Sequence, residues 1–132
     1  MFKLLKIENG RMNVPEPVIH EVTAGEAVAI GEALVLTSGK LTKCGATTVP
    51  QFIAMGRKKA DDTNRRLAVC RVESNQVYET RITAAPTSLK EGDKVTLFTD
   101  GMHVTATTTS GVATIENLNG ATAVGDKIVV RF

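Results

Sequence analysis

The residues that could perform chemistry in this chain are few and scattered. His20 and His103 each lie in a segment with strand-like alternation, and neither belongs to an HxH, HExxH or Cys/His spacing that holds zinc. Asp61 and Asp62 are adjacent in a polar segment, whereas glycoside hydrolysis needs two acids that face each other across a cleft. These four side chains therefore predict neither a metal site nor a pair of catalytic acids.

The serines and glycines supply no catalytic motif either. Ser38, Ser88 and Ser110 stand in turn-like contexts, where a hydroxyl supports the turn itself, and no GxSxG or SxxK pattern contains them. The 11 glycines are spaced as turns rather than as a phosphate-binding loop. We expect no catalytic, cofactor or metal site and no enzyme activity. A cleft in which either histidine lies beside a carboxylate would favour an enzyme instead.

The strongest charge feature is the basic segment, residues 57–66. It contains five cations around two acids, namely Arg57, Lys58, Lys59, Arg65 and Arg66. One interpretation is a solvated loop with internal ion pairs, each contributing at most about 1 kcal/mol. Another is a docking loop for an acidic protein surface. Nucleic acid is the weakest interpretation, because the acids would repel phosphate and no aromatic residue is interleaved.

A second candidate contact is the N-terminal arm, residues 1–17. Residues 2–7 form an apolar strand pattern, and two prolines keep residues 10–17 extended. This combination suits strand addition to a neighbouring chain, and the alternative is that the strand closes the protein's own sheet. The candidate contact residues of the arm are Phe2, Leu4, Leu5, Pro15 and Pro17.

The composition bounds the class of protein. The chain has 132 residues, enough for one domain over residues 18–132 behind the arm. A net charge of +2, 4% aromatic residues and no Trp argue against nucleic acid as a partner. No secretory signal or membrane-length apolar run is present, so we expect synthesis in a cytoplasm and no membrane contact. The two cysteines are expected to be reduced and buried, with a single Cys44–Cys70 bridge as the alternative.

Turn signals at roughly 8–12-residue spacing separate runs rich in Val, Ile and Thr, which predicts an all-β fold. Residues 31–44 and 92–106 each begin with Gly and an acid and turn at Ser-Gly or Asp-Gly, which predicts two hairpins. Runs 67–72 and 77–84 predict a third hairpin around residues 74–76. The expected architecture is a small β-barrel or β-sandwich of short antiparallel hairpins, with a helical turn at most in residues 58–64 or 116–121.

The runs KIENGRMNVPEP and AGEAVAIGEALVLTSGKLTKCGATTVPQFIAMG resemble the head decoration, or cement, proteins of tailed bacteriophages. The Gly-Asp turns and Thr-rich hairpins of residues 77–132 resemble them as well. The resemblance implies a non-enzymatic homotrimer on the capsid exterior of the virion, bound to the major capsid protein. It assigns no individual residue. A tail or head–tail joining protein is one alternative, and a cellular ligand-binding β-barrel is another.

Overall fold

The computed structural model describes residues 1–8 and 15–132, which form ten strands in two five-stranded sheets. The strands are β1 Lys3–Ile7, β2 Val18–Glu21, β3 Ala33–Thr37, β4 Lys40–Lys43, β5 Phe52–Ala54, β6 Arg66–Arg71, β7 Gln76–Arg81, β8 Lys94–Val95, β9 Ala113–Asn117 and β10 Lys127–Arg131. Every pairing between these strands is antiparallel. The predicted all-β class is confirmed, and the segments considered for helix, 58–64 and 116–121, contain no helix.

The second sheet closes on itself into a small barrel. Its strand order is β2-β6-β5-β3-β4, and its two edges meet where Val22 pairs with Leu41. The amide of Thr23 donates to the carbonyl oxygen of Leu41 over 2.8 Å at this seam. The interior of the barrel holds a separate apolar cluster of Val22, Val28, Leu34, Leu41, Phe52, Ala54, Leu67 and Val69.

The first sheet, with order β1-β7-β10-β9-β8, packs against the outside of this barrel. Successive residues of a strand point to opposite faces, so β5 sends Phe52 into the barrel and Ile53 into the core between the sheets. The same alternation divides Leu34 from Ala33 on β3. Burial on both faces explains why these strands read as continuous apolar runs.

Two of the predicted hairpins are confirmed. Strands β3 and β4 turn at Ser38 and Gly39, whose φ angles of 51° and 79° match the primed turns that suit the twist of paired strands. The second hairpin turns at 100–101, with Leu97 bridged to Val104. Backbone hydrogen bonds from Thr105 to Thr96 and from Phe98 to His103, of 2.9 and 2.8 Å, join the same two segments.

The predicted third hairpin is wrong. Strand β6 belongs to the barrel and β7 to the other sheet, so the turn between them carries the chain from one sheet to the other. The amides of Glu73 and Gln76 each donate to an oxygen of the other residue over 3.0 Å, which gives a tight turn like that of a hairpin. Strand β7 already pairs with β1 and β10 on its two edges and has no edge left for β6.

Candidate interaction surface

Arg65 in the basic segment is a structural residue. Its guanidinium donates to the carbonyl oxygens of Thr23 over 2.7 Å, Glu26 over 2.5 Å and Lys59 over 2.7 Å. These bonds fasten the basic segment to the turn that follows β2, and the side chain is half-buried. Arg65 is therefore engaged within the chain, whatever partner the rest of the segment contacts.

Backbone contacts hold three of the other cations, Lys58, Lys59 and Arg66. Lys58 pairs with Val28 through two backbone hydrogen bonds of 2.8 and 2.9 Å, and its side chain is half-buried. The carboxylate of Asp62 accepts the amide of Lys59 over 2.8 Å, which closes the turn at the tip. Arg57, Lys59 and Arg66 are exposed. Across residues 1–8 and 15–132, no ion pair involves the side chains of the segment.

The N-terminal strand pairs within its own chain, which is the alternative given above for the arm. Lys3 and Leu4 lie opposite Glu79 and Tyr78 of β7. Phe2 is 3% exposed, packs against the ring of Phe132 at 5.2 Å between centroids and belongs to the core.

The outer edge of β1 is poorly suited to strand addition. The pairing register shifts between Leu4 and Lys6, which places Leu5 at a bulge with its side chain exposed. A bulge and flanking lysines are devices that discourage edge-to-edge pairing. In the remainder of the arm Pro15 is half-buried and Pro17 exposed, and residues 9–14 lie outside the described part of the chain.

An apolar surface that the sequence reasoning missed lies on the outside of the barrel. Four large apolar side chains are about half exposed there: Met1, Ile19, Ile30 and Met55. The alternation of β2 places Ile19 on the face opposite Val18 and His20. That signal gave no indication that apolar residues from other segments lie beside it.

His103 and Asp100 form a histidine–carboxylate pair, the arrangement that would favour an enzyme according to the sequence analysis. The imidazole Nδ1 lies 2.5 Å from a carboxylate oxygen of Asp100, beside an open pocket of about 440 Å³. The other oxygen of Asp100 accepts the amides of Met102 over 2.8 Å and His103 over 3.2 Å. Burial opposes ionisation of Asp100, but these hydrogen bonds outweigh it and lower its pKa.

The pair of His103 and Asp100 stabilises the tip of the second hairpin. Thr80, the hydroxyl residue of the same pocket, donates its hydroxyl proton to the carbonyl oxygen of Met102 over 2.9 Å. A nucleophile would instead be hydrogen-bonded to the base that activates it. The other histidine, His20, is half-buried with its ring 5.0 Å from that of Phe52.

The two cysteines are buried free thiols. Cys44 donates to the carbonyl oxygen of Thr48 over 3.0 Å, and burial raises its pKa to about 12. Burial, with a contribution from Glu73, also raises the pKa of Cys70. A reactive cysteine needs the opposite shift, because the thiolate is the nucleophile.

Arg131 anchors Glu8, the residue that follows β1. Its guanidinium contacts a carboxylate oxygen of Glu8 at 2.7 Å and one of Glu116 at 2.9 Å. It also donates to the carbonyl oxygen of Ser74 over 3.0 Å, at the turn between the sheets. Because the three partners come from β9 and two connections, sequence spacing could not have grouped them.

Within the described ranges, no group of three or more His, Cys, Asp or Glu side chains is placed to hold a metal ion. The described residues also contain no helix with the length and apolar character needed to cross a bilayer.

Comparison with solved structures finds a similar fold. No family model matches the chain, and no curated protein matches it. The chain is similar to the head fiber gp8.5 N base of bacteriophage phi29, known from a crystal structure, with a TM-score of 0.58. The match covers 89% of this chain and 94% of that one at 16% sequence identity. The predicted resemblance to phage head proteins is thus confirmed at the level of the fold.

Proposed function

We propose that this chain is a non-enzymatic structural protein of a phage virion, which binds the outer surface of the capsid and stabilises the mature shell. The single observation that carries the proposal is the fold shared with the phi29 head fiber N base over almost the whole length of both chains. The major capsid protein is the proposed partner, and a homotrimer is the proposed assembly. No nucleic acid, membrane or cofactor takes part.

Stabilisation follows from linkage. A protein that binds the assembled, expanded shell but not its dissociated subunits stabilises the shell by mass action. At a free concentration one hundred times Kd, each occupied site contributes about 2.7 kcal/mol. Because a shell carries many identical sites, a modest interface at each one is enough to resist disassembly.

The exposed cations of the basic segment support an acidic partner surface. Arg57, Lys59 and Arg66 project from a segment that backbone hydrogen bonds and Arg65 hold in place. A fixed loop loses little conformational entropy on binding, so its charges can contribute to affinity. Their contribution should weaken with salt, because screening acts on exposed charges.

The experiment that tests this function is a cryo-electron microscopy difference map between shells with and without the protein. The proposal predicts added density on the outer shell surface at three-fold or quasi-three-fold positions, each volume fitting three copies of this fold. Density at the tail or at the head–tail junction would instead identify another virion structural part. Sedimentation velocity of the free protein gives an independent measure of the trimer.

A further inference from the structure

The exposed apolar residues on the barrel form one continuous row. Ile19 lies directly opposite Ala68 in the register of β2 and β6. On the other side of Ala68, the amide of Met55 donates to its carbonyl oxygen over 3.0 Å. Ile30 and Met1 extend the row, since both line one pocket with Met55. The exposed fractions are 57% for Ile19, 48% for Met55, 52% for Ile30 and 51% for Met1.

The pocket in this row is a recess with an apolar floor. Its volume is about 220 Å³, and Ile53, Cys70 and Tyr78 lie among its lining residues. Gly31 is part of the wall, and a Cβ at this position would lie 2.6 Å from Cγ of Met1 and 2.9 Å from the carbonyl oxygen of Phe2. A recess of this kind can seat one large apolar side chain, as anchor residues of protein interfaces do.

A cationic border runs beside the apolar row. A Cβ at Gly56 would meet Leu67 inside the barrel, so Gly56 faces inward and its neighbours Met55 and Arg57 face outward. Arg66 lies two residues from Ala68 on the same strand and therefore shares its outward face. Both arginines are exposed.

One acid, the exposed Glu21, lies within the border. Glu21 is opposite Arg66 in the register of β2 and β6. Its carboxylate lies 3.9 Å from the ammonium nitrogen of Lys40. Among the described residues, neither Arg57 nor Arg66 makes an ion pair, so both can meet carboxylates of a partner.

We propose that this face, the docking face, is where the chain binds the major capsid protein. It consists of Met1, Ile19, Ile30, Met55, Ala68, Arg57 and Arg66. The proposal rests on the proposed function above and specifies the chemistry of the capsid side. A large apolar side chain of the capsid protein enters the recess, and capsid carboxylates beside it meet the two arginines.

Like-charge repulsion disfavours a second copy of the chain related by a two-fold axis as the occupant of this face. Across a two-fold axis, the same face of both copies would meet, and Arg57 and Arg66 would lie against their own counterparts. Like charges brought together at an interface oppose association. Apolar rows of this kind on a soluble protein usually mark an interaction site.

The test measures binding to expanded, undecorated shells by co-sedimentation, with single variants of the whole protein. Met55 and Ile30 belong to the apolar row, line the recess and are about half exposed. Met55→Asp and Ile30→Asp each place a negative charge there. We expect each to weaken binding at least about tenfold, the loss of roughly 1.4 kcal/mol that removing an anchor contact produces. The pair Arg57→Glu and Arg66→Glu should weaken binding and flatten its salt dependence.

The matched control is Val124→Asp. Val124 is 66% exposed and lies in the connection between two strands of the other sheet, β9 and β10, which contributes no residue to the docking face. This variant should bind like the wild type, and urea unfolding of every variant confirms that the fold is intact. If Met55→Asp and Ile30→Asp bind as tightly as the control, the docking face is wrong while the proposed function stands.

Two other outcomes also overturn the proposal. If the wild type does not bind shells, the proposed function fails, and the capsid occupant fails with it. If the wild type self-associates in sedimentation velocity and Met55→Asp abolishes this without weakening shell binding, a second copy of the chain covers the face.

Discussion

Replacing Arg65 by alanine should separate the structural role of the basic segment from any role in binding. The side chain makes three short hydrogen bonds to backbone oxygens, at 2.7, 2.5 and 2.7 Å. Hydrogen bonds to charged groups contribute about 1.5–3 kcal/mol each, but water replaces them in part at a half-buried site. We therefore expect Arg65→Ala to lower the free energy of unfolding by about 2–3 kcal/mol in total. At roughly 4 °C per kcal/mol for a chain of this size, Tm should fall by about 8–12 °C.

The assay is equilibrium unfolding in urea, with Arg66→Ala as the matched control. Arg66 is the same residue type one position away, exposed and without these bonds, so its removal should change stability by less than about 0.5 kcal/mol. Arg65→Lys should recover less than half of the loss, because an ammonium group cannot span three acceptors as a guanidinium does. Equal midpoints for Arg65→Ala and Arg66→Ala would refute the structural role. A charge reversal meant to test binding should accordingly leave Arg65 unchanged.

Two further predictions concern a glycine and a buried acid. Gly111→Ala should destabilise the protein more than Gly120→Ala, since a Cβ at Gly111 would lie 2.3 Å from the carbonyl oxygen of Lys94. Gly120 has open space around it, and only the strain of its positive φ of 71° opposes a side chain, at about 1–2 kcal/mol. Similar urea midpoints for the two variants would count against the packing of β8 on β9. Burial raises the pKa of Glu32 above its usual 4.5, despite the amide of Ala29 and the ammonium group of Lys43. The native state then holds this proton more tightly than the unfolded chain, so stability should fall as pH rises through the raised pKa. Urea midpoints across this range should fall more in the wild type than in Glu32→Gln, and parallel curves would show that Glu32 is not the cause.

The local β structure could be predicted because its signals are local. Ser38-Gly39 specifies a tight turn between two β runs, and the structure forms a hairpin there. The turn at residues 73–76 carries equally good turn chemistry, yet it joins two different sheets. Turn residues determine that the chain reverses. Which strand becomes the neighbour depends on the edges that the rest of the fold leaves open.

The candidate surface was predictable only in part, because identical residue types have different neighbours. Arg65 and Arg66 are equivalent in sequence, but only Arg65 reaches the turn that follows β2. Phe2 belongs to an apolar run that suits either a partner or the protein's own core, and the pairing of β1 with β7 puts it in the core. The apolar row joins residues far apart in the chain, such as Ile19 and Met55, through strand register.

The central claim is that the protein decorates a capsid, and its most direct test is co-sedimentation of the purified wild type with expanded, undecorated shells. The measurement is bound protein per major capsid protein across a concentration series, at low and at moderate salt. We predict saturable binding at a fixed ratio, with a lower affinity at moderate salt because exposed cations contribute. Absence of saturable binding at both salt concentrations would contradict the claim.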